Sequence, residues 1–399
     1  MELLADLDPP SPGVPPLSFV DYDDSAMRRL GYPALIPHGS VALILERIAP
    51  ARPKAVVLDI DISRHWNPAQ SPRLAEVLRK LAGSGAHIML VRPPAGEISD
   101  LSQEGLRVPA FAPSPFDSIV DPNPRMQWTS GRTAVSDDEV VRRFPLLVQG
   151  CRGATPVVYP SPQLAALLWM RSPGTGLAKR EFQRVAAASK PRCGDSPVSG
   201  TVPARLRFET GANALAINTD EAARIDFTLS WPVKGDQPFI APAETLLQSR
   251  VETDLGWASG GIVVIGASAT DRNDMHMTPL GRMPGSFIVI NAIRSWLQFG
   301  PQESGGFWVG LVLVCGAVGL SAVLAVCALR LMPLGWRPQA TAVMPAAMTV
   351  LLWLILILIG ETSTAVALFF IQYVAIFIVA SATRGAEPET AEATSDQGG

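Results

Sequence analysis

The sequence predicts an α/β domain of three layers around a mostly parallel sheet, followed by an α-helical membrane bundle of three transmembrane helices. Three observations predict it. Apolar strand-like runs alternate with helix-spaced segments over the first part of the chain. Three uncharged apolar runs, each about 20 residues long, then follow one another. Charge divides the same way: from Phe307 onward there are three basic and five acidic residues, and the other 30 basic and 31 acidic residues lie in residues 1–306.

The first part supports its elements in order. Residues 17–22 (LSFVDY) are a short apolar run ending in acids, and residues 40–49 (SVALILERIA) have helical spacing. Residues 55–62 (AVVLDIDI) make a buried strand, residues 71–82 (SPRLAEVLRKLA) a second helix and residues 87–91 (HIMLV) a further strand. This β-α-β-α-β order calls for a parallel sheet covered on both faces, since parallel neighbours need crossover helices. Residues 93–150, rich in Pro and Asp, read as an irregular excursion closing in the strand-like FPLLVQ. Residues 160–169 are helical, and residues 171–205, with many Gly, Pro, Ser and Arg, read as loop. Alternation in RIDFTLS (224–230) predicts an exposed strand, and GIVVIG (261–266) a fully buried one. Residues 286–298 form the helix that leads on toward the apolar runs. Residues 17–300 are therefore read as one domain, and residues 1–16, rich in Pro and acid, as a linker.

The apolar runs occupy residues 307–329, 339–360 and 362–383, with an acidic tail at 384–399. The first has 23 residues without a charge. At 1.5 Å rise per residue it is roughly 35 Å long, enough for a hydrocarbon core of about 30 Å. Arg330 and Arg337 fall between the first two runs and Arg384 follows the third, whereas the turn at Glu361 has no positive charge. Three crossings put every Arg on one side, which the positive-inside rule makes cytoplasmic. The large domain is then expected outside, periplasmic or extracellular, on a multi-pass inner-membrane protein. The first residues lack a basic n-region and an apolar h-region, so an outside domain calls for a membrane segment ahead of Met1; the alternative is a domain inside.

Net charge of −3 favours neither a nucleic-acid partner nor a basic membrane-binding face. There is no Walker loop, dinucleotide Gly fingerprint or metalloprotease motif, and no cofactor is expected. Gly266-Ala267-Ser268-Ala269-Thr270 has Thr where a nucleophile elbow needs Gly, so a hydrolase is not expected, nor any catalytic residue. Met275-His276-Met277 offers soft ligands but reads as a coincidence within a loop. Cys315 and Cys327 lie in the first apolar run as small packing residues. Cys151 and Cys193 match no zinc spacing; they are either two unrelated thiols or one disulfide, the latter in an oxidising compartment.

Acids cluster after strands: Asp21, Asp23 and Asp24 after the first, Asp59 and Asp61 after the second, Asp271 and Asp274 after GIVVIG. Open parallel sheets bind ligands beyond the carboxyl ends of their strands. Asp21, Asp23, Asp59, Asp61, Asp271 and Asp274 are accordingly the candidate ligand-binding residues, suited to a hard cation or an amine. The competing reading is that these acids cap helices and satisfy loop amides.

From Gly261 the sequence GGIVVIGASATDRNDMHMTPLGRMPGSFIVINAIRSWL resembles the end of the CHASE2 domain, an extracellular sensory module of bacterial signalling proteins. The shared features are Gly266-Ala267-Ser268-Ala269, Asp271 and Asp274, Thr278-Pro279, Met283-Pro284-Gly285 and Asn291-Ala292-Ile293. FVDYDDSAMRRLGYP resembles the family's opening block and AVVLDIDIS its second-strand block; SDDEVVRRFPL resembles a further block with Glu139 where Gly is usual. The likeness covers about residues 16–300. It departs at Phe287-Ile288-Val289, where the family commonly has Glu-x-His. The resemblance implies a sensor domain flanked by one helix before it and three after it, followed by a cytoplasmic output domain, which is not found before residue 399.

Together these readings lead to the expectation of a non-enzymatic membrane sensor. Its expected partners are the lipid bilayer, a small-molecule or ion signal, a cytoplasmic or membrane output partner and a second copy in a homodimer. The alternative is an envelope structural or assembly protein that uses the domain for protein contacts.

Overall fold

The computed structural model describes residues 14–300 apart from 64–68, 95–109, 173–175, 190–192, 194–204, 211–212, 220–221, 234–237, 249–253 and 271–273. All of them fall in the first of the chain's two units, which ends at Glu303. The three apolar runs, the acidic tail and most of the linker lie outside the described residues. Among those described, no helix is long and apolar enough to cross a membrane.

The chain opens with β1 (Leu17–Tyr22), α1 (Asp24–Arg29), α2 (His38–Ile48), β2 (Ala55–Leu58), α3 (Ser71–Gly83) and β3 (His87–Val91). After these come α4 (Asp117–Val120), β4 (Met126–Thr129), β5 (Ala134–Val135), β6 (Val141–Phe144), β7 (Leu147–Arg152) and β8 (Thr155–Pro160). The middle of the chain adds α5 (Pro162–Arg171), α6 (Leu177–Ser189), the hairpin β9 (Arg205–Thr210) and β10 (Asn213–Asn218), and β11 (Ala223–Arg224). The last elements are β12 (Phe239–Pro242), α7 (Ala243–Gln248), β13 (Ile262–Ala267), β14 (Met275–Thr278), β15 (Gly281–Pro284) and α8 (Gly285–Phe299).

Six strands form one sheet in the order β12-β1-β13-β2-β3-β4, and each neighbouring pair is parallel. Successive side chains leave opposite faces of a strand, so residue parity sorts the core. On one face Val20, Tyr22, Val56, Leu58, Ile88, Leu90, Val263 and Ile265 pack with Met27, Val41, Leu45, Leu74 and Leu78 of α1, α2 and α3. On the other, Phe19, Val57, Met89 and Val264 pack with Ala166 and Trp169 of α5 and Phe287, Ile288 and Ile290 of α8. Helix, sheet and helix therefore stack as three layers. Burial on both faces is why these strands read as continuous Val and Ile runs.

Helices α5 and α8 share one direction relative to the sheet. Ser130 N, just past β4, donates to Pro160 O, 2.8 Å, ahead of α5. At the other end of α5, Trp169 stacks on His87, which opens β3, with ring centroids 5.5 Å apart. Ser286, in the first turn of α8, lies against Gly266 near the end of β13. Both helices therefore start at the carboxyl rim of the sheet and run back against its strands.

Several expectations need correction. Residues 93–150 are not simply an irregular excursion, for they carry β4, the sixth strand of the main sheet. Residues 171–205 contain α6 rather than loop alone, with Phe182, Val185 and Ala186 buried at helical spacing. RIDFTLS is a strand only at its start, in β11. Its alternation is real, since Ile225 and Leu229 are buried, but its later amides are taken by a side chain instead of a sheet neighbour. Glu139 has φ +60, in the left-handed region that Gly occupies without strain, which accounts for Gly at this place in the resembling pattern. Cys151 and Cys193 are joined in a disulfide with Cα atoms 5.6 Å apart, so they are not two unrelated thiols.

Candidate functional site

The carboxyl rim brings Asp21 and Asp59 to either side of Gly266. Asp21 is the register partner of Gly266, and on the far side Asp59 N donates to Ile265 O, 2.8 Å. Both aspartates follow the parity of Phe19 and Val57 and so face the α5–α8 layer. Gly266 is required there: a Cβ would meet Ser286 Oγ at 2.0 Å, so the first turn of α8 rests directly on the strand.

Asp21 is 5% exposed. Its oxygens accept from Ser268 N, 3.0 Å, and Ser268 Oγ, 2.6 Å, tying β1 to the loop after β13. Burial outweighs these bonds and raises its pKa to about 6, with Asp23 and Asp24 adding repulsion. The flanking acids are structural. Asp23 caps α1 by accepting from Ala26 N, 2.8 Å, and Asp24 accepts from Thr270 N, 2.9 Å. Asp61 accepts from Ser63 N and Ser63 Oγ in its own turn. Asp271 lies outside the described residues.

Asp59 has the more consequential surroundings. Burial, and then repulsion from Asp274, push its pKa up to about 7, against smaller lowering by Ser286 and His276. Asp274 Oδ1 lies 3.0 Å from His276 Nε2 at the start of β14. That pairing is the main cause holding the His276 pKa above its usual value. Gly285 admits this arrangement, because a Cβ there would stand 2.6 Å from both Asp274 carboxylate oxygens. Asp274 O also accepts from Gly285 N, 2.9 Å. Its carboxylate thus sits on the first residue of α8, whose Pro284 N-cap supplies no side-chain cap, and there it complements the positive end of the helix dipole. Ser286 is 1% exposed and its Oγ makes no well-formed hydrogen bond among the described residues, though it lies close enough to Asp59 to influence it. Asp274 and His276 keep 46% and 33% of their side-chain surface exposed, so the group opens to solvent. Among the described residues no three His, Cys, Asp or Glu side chains gather closely enough to hold a metal ion.

Of the residues expected at the site, then, Asp59 and Asp274 come together at the rim and Asp21 lies across Gly266, bonded to Ser268, whereas Asp23 and Asp61 bond within local turns. His276 and Ser286 join them without having been expected there. The available signal was the order of the segment itself: an acid, a short hairpin with His, then Pro-Gly-Ser opening a helix.

Asn291 explains another part of the pattern. It is fully buried on α8 and accepts from Thr228 N, 3.1 Å, and Leu229 N, 3.0 Å, while donating to Leu229 O, 3.1 Å. One side chain therefore fastens residues 228–229 across the helix. Phe287, Ile288 and Val289, which stand where Glu-x-His is common, are buried core residues.

These features define a three-layer α/β domain with a polar site at the carboxyl rim of a parallel sheet, where such sheets bind ligands. The chain matches the CHASE2 domain over residues 1–326 and belongs to that family of sensory domains. No curated protein and no solved structure matches it significantly.

Proposed function

We propose that this chain is an integral inner-membrane sensory protein whose rim site around Asp59 receives the signal and whose α8 passes it on. The observation that carries this reading is the seat of the site. Asp274 lies on the first turn of α8 beside Asp59, and α8 ends at Phe299, shortly before the apolar run at residue 307. A change of charge at the rim then acts on the helix that leads in sequence to the first span.

The three runs at 307–329, 339–360 and 362–383 would carry the signal across the bilayer, and the Arg distribution favours a cytoplasmic C-terminus. A periplasmic domain is consistent with the Cys151–Cys193 disulfide. A cytoplasmic or membrane output partner would complete the path.

The test is a chimera with a cytoplasmic adenylyl cyclase fused after Arg384. Cyclase output should change as external pH moves between 6 and 8, across the titration of Asp59 near 7, and Asp59→Asn should blunt that change. An output indifferent both to external pH and to Asp59→Asn, from a chimera that folds and inserts, contradicts the sensory reading.

A further inference from the structure

The rim site has a chemistry more specific than that of an acidic cleft. Asp274 is already engaged, sharing its charge between His276 and the first turn of α8. Asp59 is the second carboxylate, and no cation pairs with it directly among the described residues. Beside it Ser286 Oγ is buried, 1% exposed, and lacks a well-formed hydrogen bond. A hydroxyl so placed is costly unless something completes it, and it faces Asp59 from the first turn of α8. The group reaches solvent through the half-exposed Asp274 and His276.

Resting on the sensory reading of this site, we propose that it binds a small ligand through a primary ammonium group held by Asp59, Asp274 and Ser286 Oγ. An ammonium carries three N–H donors, and the site offers acceptors from three side chains. A hard divalent cation would use the same oxygens and is the competing ligand, whereas an ammonium donates directed N–H···O bonds of about 2.8 Å. One added positive charge would balance Asp59 without displacing His276 from Asp274.

The groups facing Asp59 set the pH behaviour. They are Asp274 and His276 from the β14 side, Ser286 from α8, Asp21 across Gly266, and the backbone at Gly131 with its neighbour Arg132 past β4. Below neutrality Asp59 takes up a proton and His276 gains charge, and both oppose a bound ammonium. With Asp59 titrating at about 7, affinity should fall about tenfold between pH 7.8 and 6.0.

The experiment uses the full chain in lipid nanodiscs, with thermal unfolding followed at constant ionic strength. Ethylammonium should raise the unfolding temperature at pH 7.8. Tetraethylammonium, which has the charge but no donors, and magnesium should not. Asp59→Asn should abolish the shift, and Ser286→Ala should weaken the apparent affinity severalfold and move its pH profile upward, since the hydroxyl lowers the Asp59 pKa. His276→Gln should tighten binding at pH 6. Equal shifts with tetraethylammonium or magnesium, no shift with ethylammonium, or a shift undiminished in both Asp59→Asn and Ser286→Ala would each overturn the proposal. A silent cyclase chimera beside intact ethylammonium binding would instead count against signalling alone.

Discussion

Asp59 is where a single side chain decides most. Folding makes it a weaker acid, its pKa rising from 3.8 to about 7. Between those pH values the folded chain keeps a proton that the unfolded chain has released, so stability falls as pH rises through that window and is level above it. Each unit of pH spent there costs about 1.4 kcal/mol. Asp59→Asn removes the burden, and the unfolding temperature of the full chain should rise by several degrees at pH 8 while changing little at pH 4. A loss of about 1 kcal/mol at both pH values would instead mark Asp59 as a capping residue. The acids show how far sequence reaches at this scale. Position after a strand was visible for Asp21, Asp23, Asp59 and Asp61 alike, but a capping Asp and a site Asp carry the same sequence sign. What separates them is whether the partner lies in the acid's own turn, as Ala26 N does for Asp23 and Ser63 Oγ for Asp61, or across the rim, as Ser268 does for Asp21. Only the assembled rim decides that.

At the scale of elements, α8 is the piece on which the rest converges. Its first turn meets Gly266 and Asp274, its middle holds residues 228–229 through Asn291, and Ser295 Oγ accepts from Asp226 N, 3.1 Å. Asn291→Ala would leave the Thr228 and Leu229 amides without their acceptor, one of them buried. It should cost about 2–4 kcal/mol, read as a lower unfolding temperature of the full chain. A cost under about 0.5 kcal/mol would mean the strap is held by its apolar contacts alone. The helix itself was legible, because its apolar spacing and its Pro-Gly start are local properties. The strap was not: RIDFTLS alternates as a strand does, and its partner lies more than 60 residues away in sequence. β4 was hidden for a related reason, since Pro-rich flanks and the buried Gln127 disguise a strand whose burial comes entirely from β3 and the layers around it. α6 was obscured by the Gly, Pro and Ser on either side, which diluted a local helical pattern of Phe182, Val185 and Ala186.

For the molecule as a whole, fold class was the most legible property. A doubly covered parallel sheet writes itself as repeated Val and Ile runs separated by amphipathic helices, and that pattern survives without knowledge of any contact. The excursion between β3 and α5 was less legible, because its packing depends on a buried charge. Arg92, 1% exposed, is paired with Asp117 at 2.7 Å, bonded to Tyr159 and stacked over Trp128. In the proposed path, protonation at the rim is felt by α8. Amide hydrogen exchange in the full chain, corrected for intrinsic rates, measures this most directly for residues 285–293. Their protection should differ between pH 6 and pH 8 in the parent chain, and the difference should shrink markedly in Asp59→Asn, where His276 beside Asp274 remains titratable. Protection that is the same at both pH values, or that changes equally in Asp59→Asn, would contradict it.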